Sequence, residues 1–230
     1  MLIEDLKYYK DHKNLKTKTY GLDDPKHCNL GKHWWKNYPV QDFDYQFNSW
    51  GFRGHEYDQY LGQKVNIVVG DSAVINMGGP IEYSFCSQLA ENFDIPTLNL
   101  GVTGCGNDVM HLCYERACKL FDVQTVFVCY SYTNREMIDN TLISDVKDHD
   151  ECVDFFYKHR IPNAIETTIP NWYLSDEEKS FFESLLIWNI NFAAESQKED
   201  FVNRDGFHFN QLTNKMYADY MYAQYLMKQK

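Results

Sequence analysis

Val65-Asn66-Ile67-Val68-Val69-Gly70-Asp71-Ser72 is the stretch that decides the fold. Its apolar residues are β-branched, the run is too short for a helix, and Gly70 ends it. That combination predicts a buried strand, of the kind that lies inside a parallel sheet. In an open α/β sheet, ligands bind beyond the carboxyl ends of the strands. Ser72 therefore falls where a nucleophile would be presented.

Downstream, Ile81, Phe85, Leu89 and Phe93 recur at helical spacing. Thr97-Leu98-Asn99-Leu100 predicts a second strand, stopped by Gly101. Met110, Cys113, Ala117 and Leu120 fall on one face of a second helix, and Val126-Phe127-Val128-Cys129-Tyr130 predicts a third strand. Strand, helix, strand, helix, strand over 64–130 argues for a parallel sheet covered by helices on both faces. Further on the pattern weakens. Residues 141–174 give no clear period, and Ile165 to Ile169 is the candidate fourth strand. Ser175 followed by Glu178 is a capping-box pattern opening a helix with Phe181, Phe182, Leu185, Leu186, Ile190 and Ala193. Phe201-Val202 is a candidate fifth strand. A last helix starts near Asn210, with an apolar face of Leu212, Met216, Tyr220, Ala223 and Met227.

Upstream, residues 1–60 read as an irregular N-terminal extension packed on a main domain of 61–230. Its aromatic cluster, Trp34, Trp35, Tyr38, Phe43, Tyr45, Phe47, Trp50 and Phe52, suits packing more than stacking on sugar rings. Arg53 is expected in a structural ion pair.

The chain has 230 residues and a formal net charge of −11. Such a balance opposes binding to nucleic acid, which needs a positive surface to displace phosphate counterions. No apolar run reaches the roughly 20 residues that span a bilayer, so membrane insertion is not expected. The opening MLIEDLKYYKDHKNLK is too polar for a signal peptide, and a cytoplasmic location is expected. The cysteines number seven, an odd count, and none form a CxxC pair. Reduced thiols are expected, with no disulfide framework and no zinc site. His27-Cys28 and His33 lack the second pair a tetrahedral metal site needs.

Four short blocks carry chemistry. Gly70-Asp71-Ser72 offers the nucleophile. Serine attacks only when a base removes its proton. Asp205-Gly206-Phe207-His208, before the last helix, offers that base: His208 would take the proton while Asp205 orients its ring. A plain turn before a helix is the alternative for this block. Attack on an ester carbonyl also requires donors aimed at the developing oxyanion. The backbone N–H groups of Ser72 and Gly101 and the side-chain amide of Asn134 are candidates, each at the carboxyl end of a predicted strand. The alternatives are that Gly101 only ends its strand and Asn134 only caps a helix.

The order Gly-Asp-Ser, Asn-x-Gly-x-x-Gly, x-x-Asn, Asp-x-x-His resembles the SGNH/GDSL hydrolase family, over about residues 48–134 and 203–228. Its Ser, Gly, Asn and His blocks match Ser72, Gly101, Asn134 and His208, and Asn48-Ser49-Trp50-Gly51-Phe52-Arg53-Gly54 resembles a lead-in seen in some members. The resemblance implies a three-layer α/β/α fold with a flavodoxin-like parallel sheet. It implies cofactor-free hydrolysis of esters through an acyl-enzyme, on small or carbohydrate esters. Transfer of the acyl group to an alcohol, or a non-catalytic descendant of the fold, are the alternatives. The third block departs from the family's Gly-x-Asn-Asp: it reads Tyr132-Thr133-Asn134-Arg135. Asp71, Tyr132 and Arg135 are the candidate substrate-binding residues. Arg135 would favour an acidic substrate group unless it is a solvated charge at a helix start. Cys105 and His111 are the remaining reactive side chains near the blocks, and neither is expected to act.

Overall fold

The computed structural model describes residues 2–24, 42–138, 141–143, 149–170, 174–188 and 208–230. The first four predicted strands form. β3 spans Lys64–Gly70, β4 Thr97–Gly101, β5 Asp122–Tyr130 and β8 Ile165–Thr168, following two short strands, β1 (Lys16–Thr17) and β2 (Tyr45–Gln46). β4, β3, β5 and β8 lie in that order, and every pairing is parallel. The chain thus steps from β3 to one side, then crosses back over it to place β5 on the other. The topological switch lies between β3 and β5, which is where a parallel sheet opens a crevice at its carboxyl edge.

Helices cover both faces, giving an α/β/α sandwich. α3 (Phe85–Ala90) and the last helix, α7 (Gln211–Lys228), pack on each other and reach β4 and β8. α4 (Asn107–Leu120) lies on β3 and β5, with α5 (His149–His159) against it. The core strands are apolar on both sides: Val65, Ile67, Val68, Val69, Phe127 and Val128 are fully buried. Burial at about 25 cal/mol per Å² of apolar surface is the main force holding these layers together.

The segments before β3 are built into the molecule. Leu2, Ile3, Leu6, Trp50, Phe52 and Tyr57 join the main core. A second, smaller cluster joins Tyr45 and Phe47 to Ile75. Tyr45, Phe47, Trp50 and Phe52 are at most 3 % exposed, so they pack and present no face to a sugar. Trp34, Trp35, Tyr38, His27, Cys28 and His33 lie outside the described residues.

Some expectations change. The stretch from Ile81 opens as a single 3₁₀ turn, Ile81–Tyr83, and only then becomes α3. Asn134 does not cap a helix: a β-hairpin follows, β6 (Glu136–Ile138) with β7 (Thr141–Ile143). The unperiodic region contains α5. α6 (Asp176–Ser184) does open on the capping box, with both reciprocal bonds of Ser175 and Glu178 made, but it is shorter than read, and Leu186 follows in a left-handed conformation. Ile190, Ala193, Phe201 and Val202 lie outside the described residues.

α7 inverts the reading of its faces. Leu212, Met216 and Met227 are 53 %, 37 % and 58 % exposed, while Thr213, Asn214, Tyr217, Ala218 and Met221 are buried. The buried face is chosen by hydrogen bonds as much as by hydrophobicity. Tyr217 donates to the Thr168 carbonyl at 2.7 Å, and the Asn214 carboxamide oxygen accepts the Phe85 N–H at 3.2 Å.

Candidate active site

Two glycines shape the floor of the site. Gly70 and Gly101 are opposite one another across β3 and β4. A Cβ on Gly70 would lie 2.2 Å from Val74 Cγ2, and one on Gly101 would lie 2.9 Å from the Ile75 backbone nitrogen. Their absence lets a short helix, α2 (Ser72–Ile75), fold back onto the strand ends. Asp71 caps this helix, its Oδ1 accepting the Ala73 N–H at 2.9 Å. Ser72 is therefore the first helical residue, half-buried at the mouth of the crevice.

His208 meets it there. Its Nε2 lies 2.7 Å from Ser72 Oγ, and the ring is 5 % exposed. With the ring proton on Nδ1, Nε2 accepts from the Ser72 hydroxyl, the direction that base catalysis requires. Asp205, the expected partner of that proton, lies outside the described residues, as does Gly206. His208 is held from its C-terminal side. Phe209 stacks on Tyr217 at 4.8 Å, and Asn214 Nδ2 donates to the Phe209 carbonyl at 3.2 Å. The same Nδ2 donates to Asn76 Oδ1 at 2.9 Å. Asn76 ends α2 with φ +59°, a left-handed conformation that Asn tolerates. One buried carboxamide thus ties the helix that begins with Ser72 to the segment that carries His208.

The β5 side closes the crevice through Asp71. Its Oδ2 accepts the Ser131 hydroxyl at 2.7 Å and the Arg135 guanidinium at 3.3 Å. Arg135 also donates to Ser131 Oγ at 3.0 Å and stacks on the Tyr132 ring at 4.1 Å. Arg135 is therefore not a solvated charge at a helix start; the hairpin that follows leaves it folded back over the β3–β5 switch. A buried carboxylate needs such partners, because an unpaired charge there would cost several kcal/mol. Burial, the largest cause, pushes the Tyr132 hydroxyl above its ordinary pKa. Asn134 sits in the same turn, which α6 braces: Glu178 Oε1 accepts the Thr133 N–H at 2.9 Å and its hydroxyl at 3.1 Å.

Gly101 corresponds poorly to an oxyanion donor. Its N–H is given to Asn99 Oδ1 at 3.0 Å, so its service is to admit α2. The loop beyond it offers another candidate. Val102 N–H donates to the Gly70 carbonyl at 3.0 Å, which holds this loop beside Asp71. Gly104 follows with φ +68°, and among the described residues no acceptor takes its N–H. Cys105 is inert: it is fully buried, its Sγ lies 3.5 Å from the Gly70 carbonyl oxygen, and burial pushes its pKa well above the ordinary thiol value. His111 is half-buried on α4, 3.6 Å from Glu115. Among the described residues no group of three or more His, Cys, Asp or Glu gathers to hold a metal.

Several residues named in the sequence take partners around the site that it did not announce. Arg53, 1 % exposed, donates to the carbonyls of Ile75, Asn76 and Gly79 and stacks on Tyr45 at 4.3 Å. An ion pair was expected; the described bonds are to the backbone behind Ser72. Tyr45 adds a bond from the Gly78 N–H at 2.7 Å and donates to Asp23 at 2.6 Å. Glu178 left a signal for its second role, since a capping-box glutamate has a second carboxylate oxygen to spend.

No family model matches the chain, and no curated protein matches it by sequence. Solved structures do. A psychrotrophic esterase, EstA, from Pseudoalteromonas sp., inhibited by monoethylphosphonate, is 15 % identical over 71 % of this chain and 97 % of its own, with a TM-score of 0.40. A lipolytic protein of the G-D-S-L family from Desulfitobacterium hafniense DCB-2 is 14 % identical over 68 % of this chain and 96 % of its own, with a TM-score of 0.44. A family two carbohydrate esterase from Clostridium thermocellum, in complex with cellohexaose, is 14 % identical over 73 % of this chain and 65 % of its own, with a TM-score of 0.42. Likenesses this distant carry no weight for the site, which stands on the geometry of this chain.

Proposed function

We propose that the chain is a serine ester hydrolase of the SGNH type. The observation that carries this reading is the 2.7 Å contact of Ser72 Oγ with His208 Nε2, at the switch between β3 and β5. His208 takes the Ser72 proton as Oγ attacks the ester carbonyl carbon, and Asp205 holds the Nδ1 proton and steadies the imidazolium. The tetrahedral oxyanion is met by the N–H groups of Ser72 and Gly104 and by the amide of Asn134. Its collapse expels the alkoxide, to which His208 passes the proton. Water then gives a proton to His208 as its oxygen attacks the acyl-Ser72 carbonyl, and collapse breaks the bond to Oγ, releasing the acid while His208 returns the proton to Ser72.

Small esters are the substrates proposed, with acetylated carbohydrates the first class to screen. Asp71, Ser131 and Arg135 form a neutralised set behind the nucleophile, so Arg135 acts by holding Asp71 and the wall at Tyr132. Incubation with a fluorophosphonate, read by intact mass, tests the reading. A single adduct on wild type, absent from Ser72→Ala and from His208→Ala, is expected. Loss of either member of such a pair lowers turnover by on the order of 10⁴-fold or more. A folded wild type that takes no adduct overturns it.

A further inference from the structure

A chain of hydrogen bonds enters the site from the N-terminal extension. His12, at the end of α1 (Lys7–His12), has Nδ1 2.6 Å from the Tyr8 carbonyl oxygen. Only an N–H makes that contact favourable, so the proton is on Nδ1 and Nε2 carries a lone pair. Tyr20 OH lies 2.6 Å from Nε2 and must donate to it. The Tyr20 oxygen then accepts from the Thr103 hydroxyl, also at 2.6 Å. Each donor of these three bonds has one acceptor, and their direction is fixed from the His12 end, while the buried Tyr8 hydroxyl beside Tyr20 and Thr103 makes no hydrogen bond among the described residues. The ring of His12 is itself locked, stacked on Tyr8 at 3.7 Å and edge-on to Phe47 at 5.1 Å. Burial lowers its pKa, which favours the neutral ring this pattern requires.

Thr103 immediately precedes Gly104. The loop is fixed on either side by Val102 N–H to the Gly70 carbonyl and by Cys105 N–H to the Val102 carbonyl. The Thr103–Gly104 peptide lies between those two bonds, and glycine, with φ +68° here, places little steric restriction on its orientation. We propose that His12 and Tyr20 are positioning residues, which hold Thr103 and so aim the Gly104 N–H at the oxyanion. The extension then belongs to the catalytic apparatus as well as to the core. This rests on the hydrolase reading above, and deepens it.

Donors aimed at the oxyanion act in the transition state more than in substrate binding, so their loss falls on kcat. Tyr20→Phe removes the hydroxyl and keeps the ring; Thr103→Val removes the donor and keeps the shape; Thr103→Ser restores it. Rates of fluorophosphonate labelling and of p-nitrophenyl acetate turnover are compared, with melting temperatures. Wild-type labelling, with Tyr20→Phe and Thr103→Val slower in kcat by about tenfold or more at similar KM and Thr103→Ser near wild type, is the expected result. Labelling of both variants at the wild-type rate overturns the positioning role and leaves the hydrolase reading standing. A loss that follows the melting temperature, spreads over KM and kcat and is not rescued by Thr103→Ser shows a structural brace only, and also overturns it. If wild type itself takes no label, the hydrolase reading falls, and this inference with it.

Discussion

Gly101 shows how one missing Cβ can serve packing in place of chemistry. With its N–H given to Asn99, what the residue supplies is room: 2.9 Å separates its Cβ position from the Ile75 nitrogen. Backbone cannot step aside as a flexible side chain can, so Gly101→Ala must lift α2 away from the sheet. The expected cost is about 1–3 kcal/mol of stability, read as a lower urea midpoint. Turnover should fall with it, because Ser72 begins α2. A variant as stable as wild type would show that α2 is not seated on this glycine. Ser72 and His208 need no such inference about space, since their side chains already meet.

At the scale of elements, α2 is a single turn that could not persist alone. It is held from three directions: the sheet below, α7 through Asn214 and Asn76, and the segment before β3 through Arg53. Arg53 reaches three carbonyls at 2.6–2.9 Å with its planar fork. An ammonium cannot reproduce that geometry. Arg53→Lys should therefore destabilise the protein by about 2–4 kcal/mol, since buried carbonyls are left unpaired. Chemical denaturation measures it, and a loss under about 0.5 kcal/mol, the ordinary range for surface changes, would refute the clamp. α6 works in the same way on the other wall, where Glu178 closes its own helix and the Thr133 turn together.

For the whole molecule, the buried thiols set a limit on the alkaline side. Burial pushes Cys86 and Cys113 up to about 12, and raises Cys105 and Cys129 well above the usual value. Between about pH 9 and 12 the unfolded chain loses these protons while the folded chain keeps them. Stability therefore falls as pH rises through that window, by about 1.4 kcal/mol per pH unit for each thiol. Below it the contribution is fully present. Urea midpoints taken near pH 8 and near pH 10.5 should show the fall, and Cys86→Ala should make it shallower. Equal midpoints for wild type at both values would contradict the burial of these side chains.

Much of this was legible in the sequence where the signal is local. A run of β-branched residues needs both faces covered, so Val65–Val69 specified a strand and the alternation after it specified a parallel sheet. Ser72 and His208, whose side chains meet, were singled out in the sequence by the joint occurrence of Gly-Asp-Ser and Asp-x-x-His; their roles as nucleophile and base remain a proposal. What depended on distant partners was not. α7 shows an apolar stripe to the eye and buries the other face, because Asn214 and Tyr217 find hydrogen-bond partners in Asn76, Phe85, Phe209 and Thr168. Arg53 reads as a charge wanting a carboxylate, and nothing near it in sequence announces three carbonyls of another segment. Local pattern determined the parallel strands and their ends, and the order of the four blocks, with the family it resembles, marked the residues proposed to react. Only the tertiary structure decided which groups meet: Ser72 with His208, Asp71 with Arg135, and Tyr20 with Thr103, pairs separated along the chain and joined because one fold brings the strand ends and the extension to the same edge.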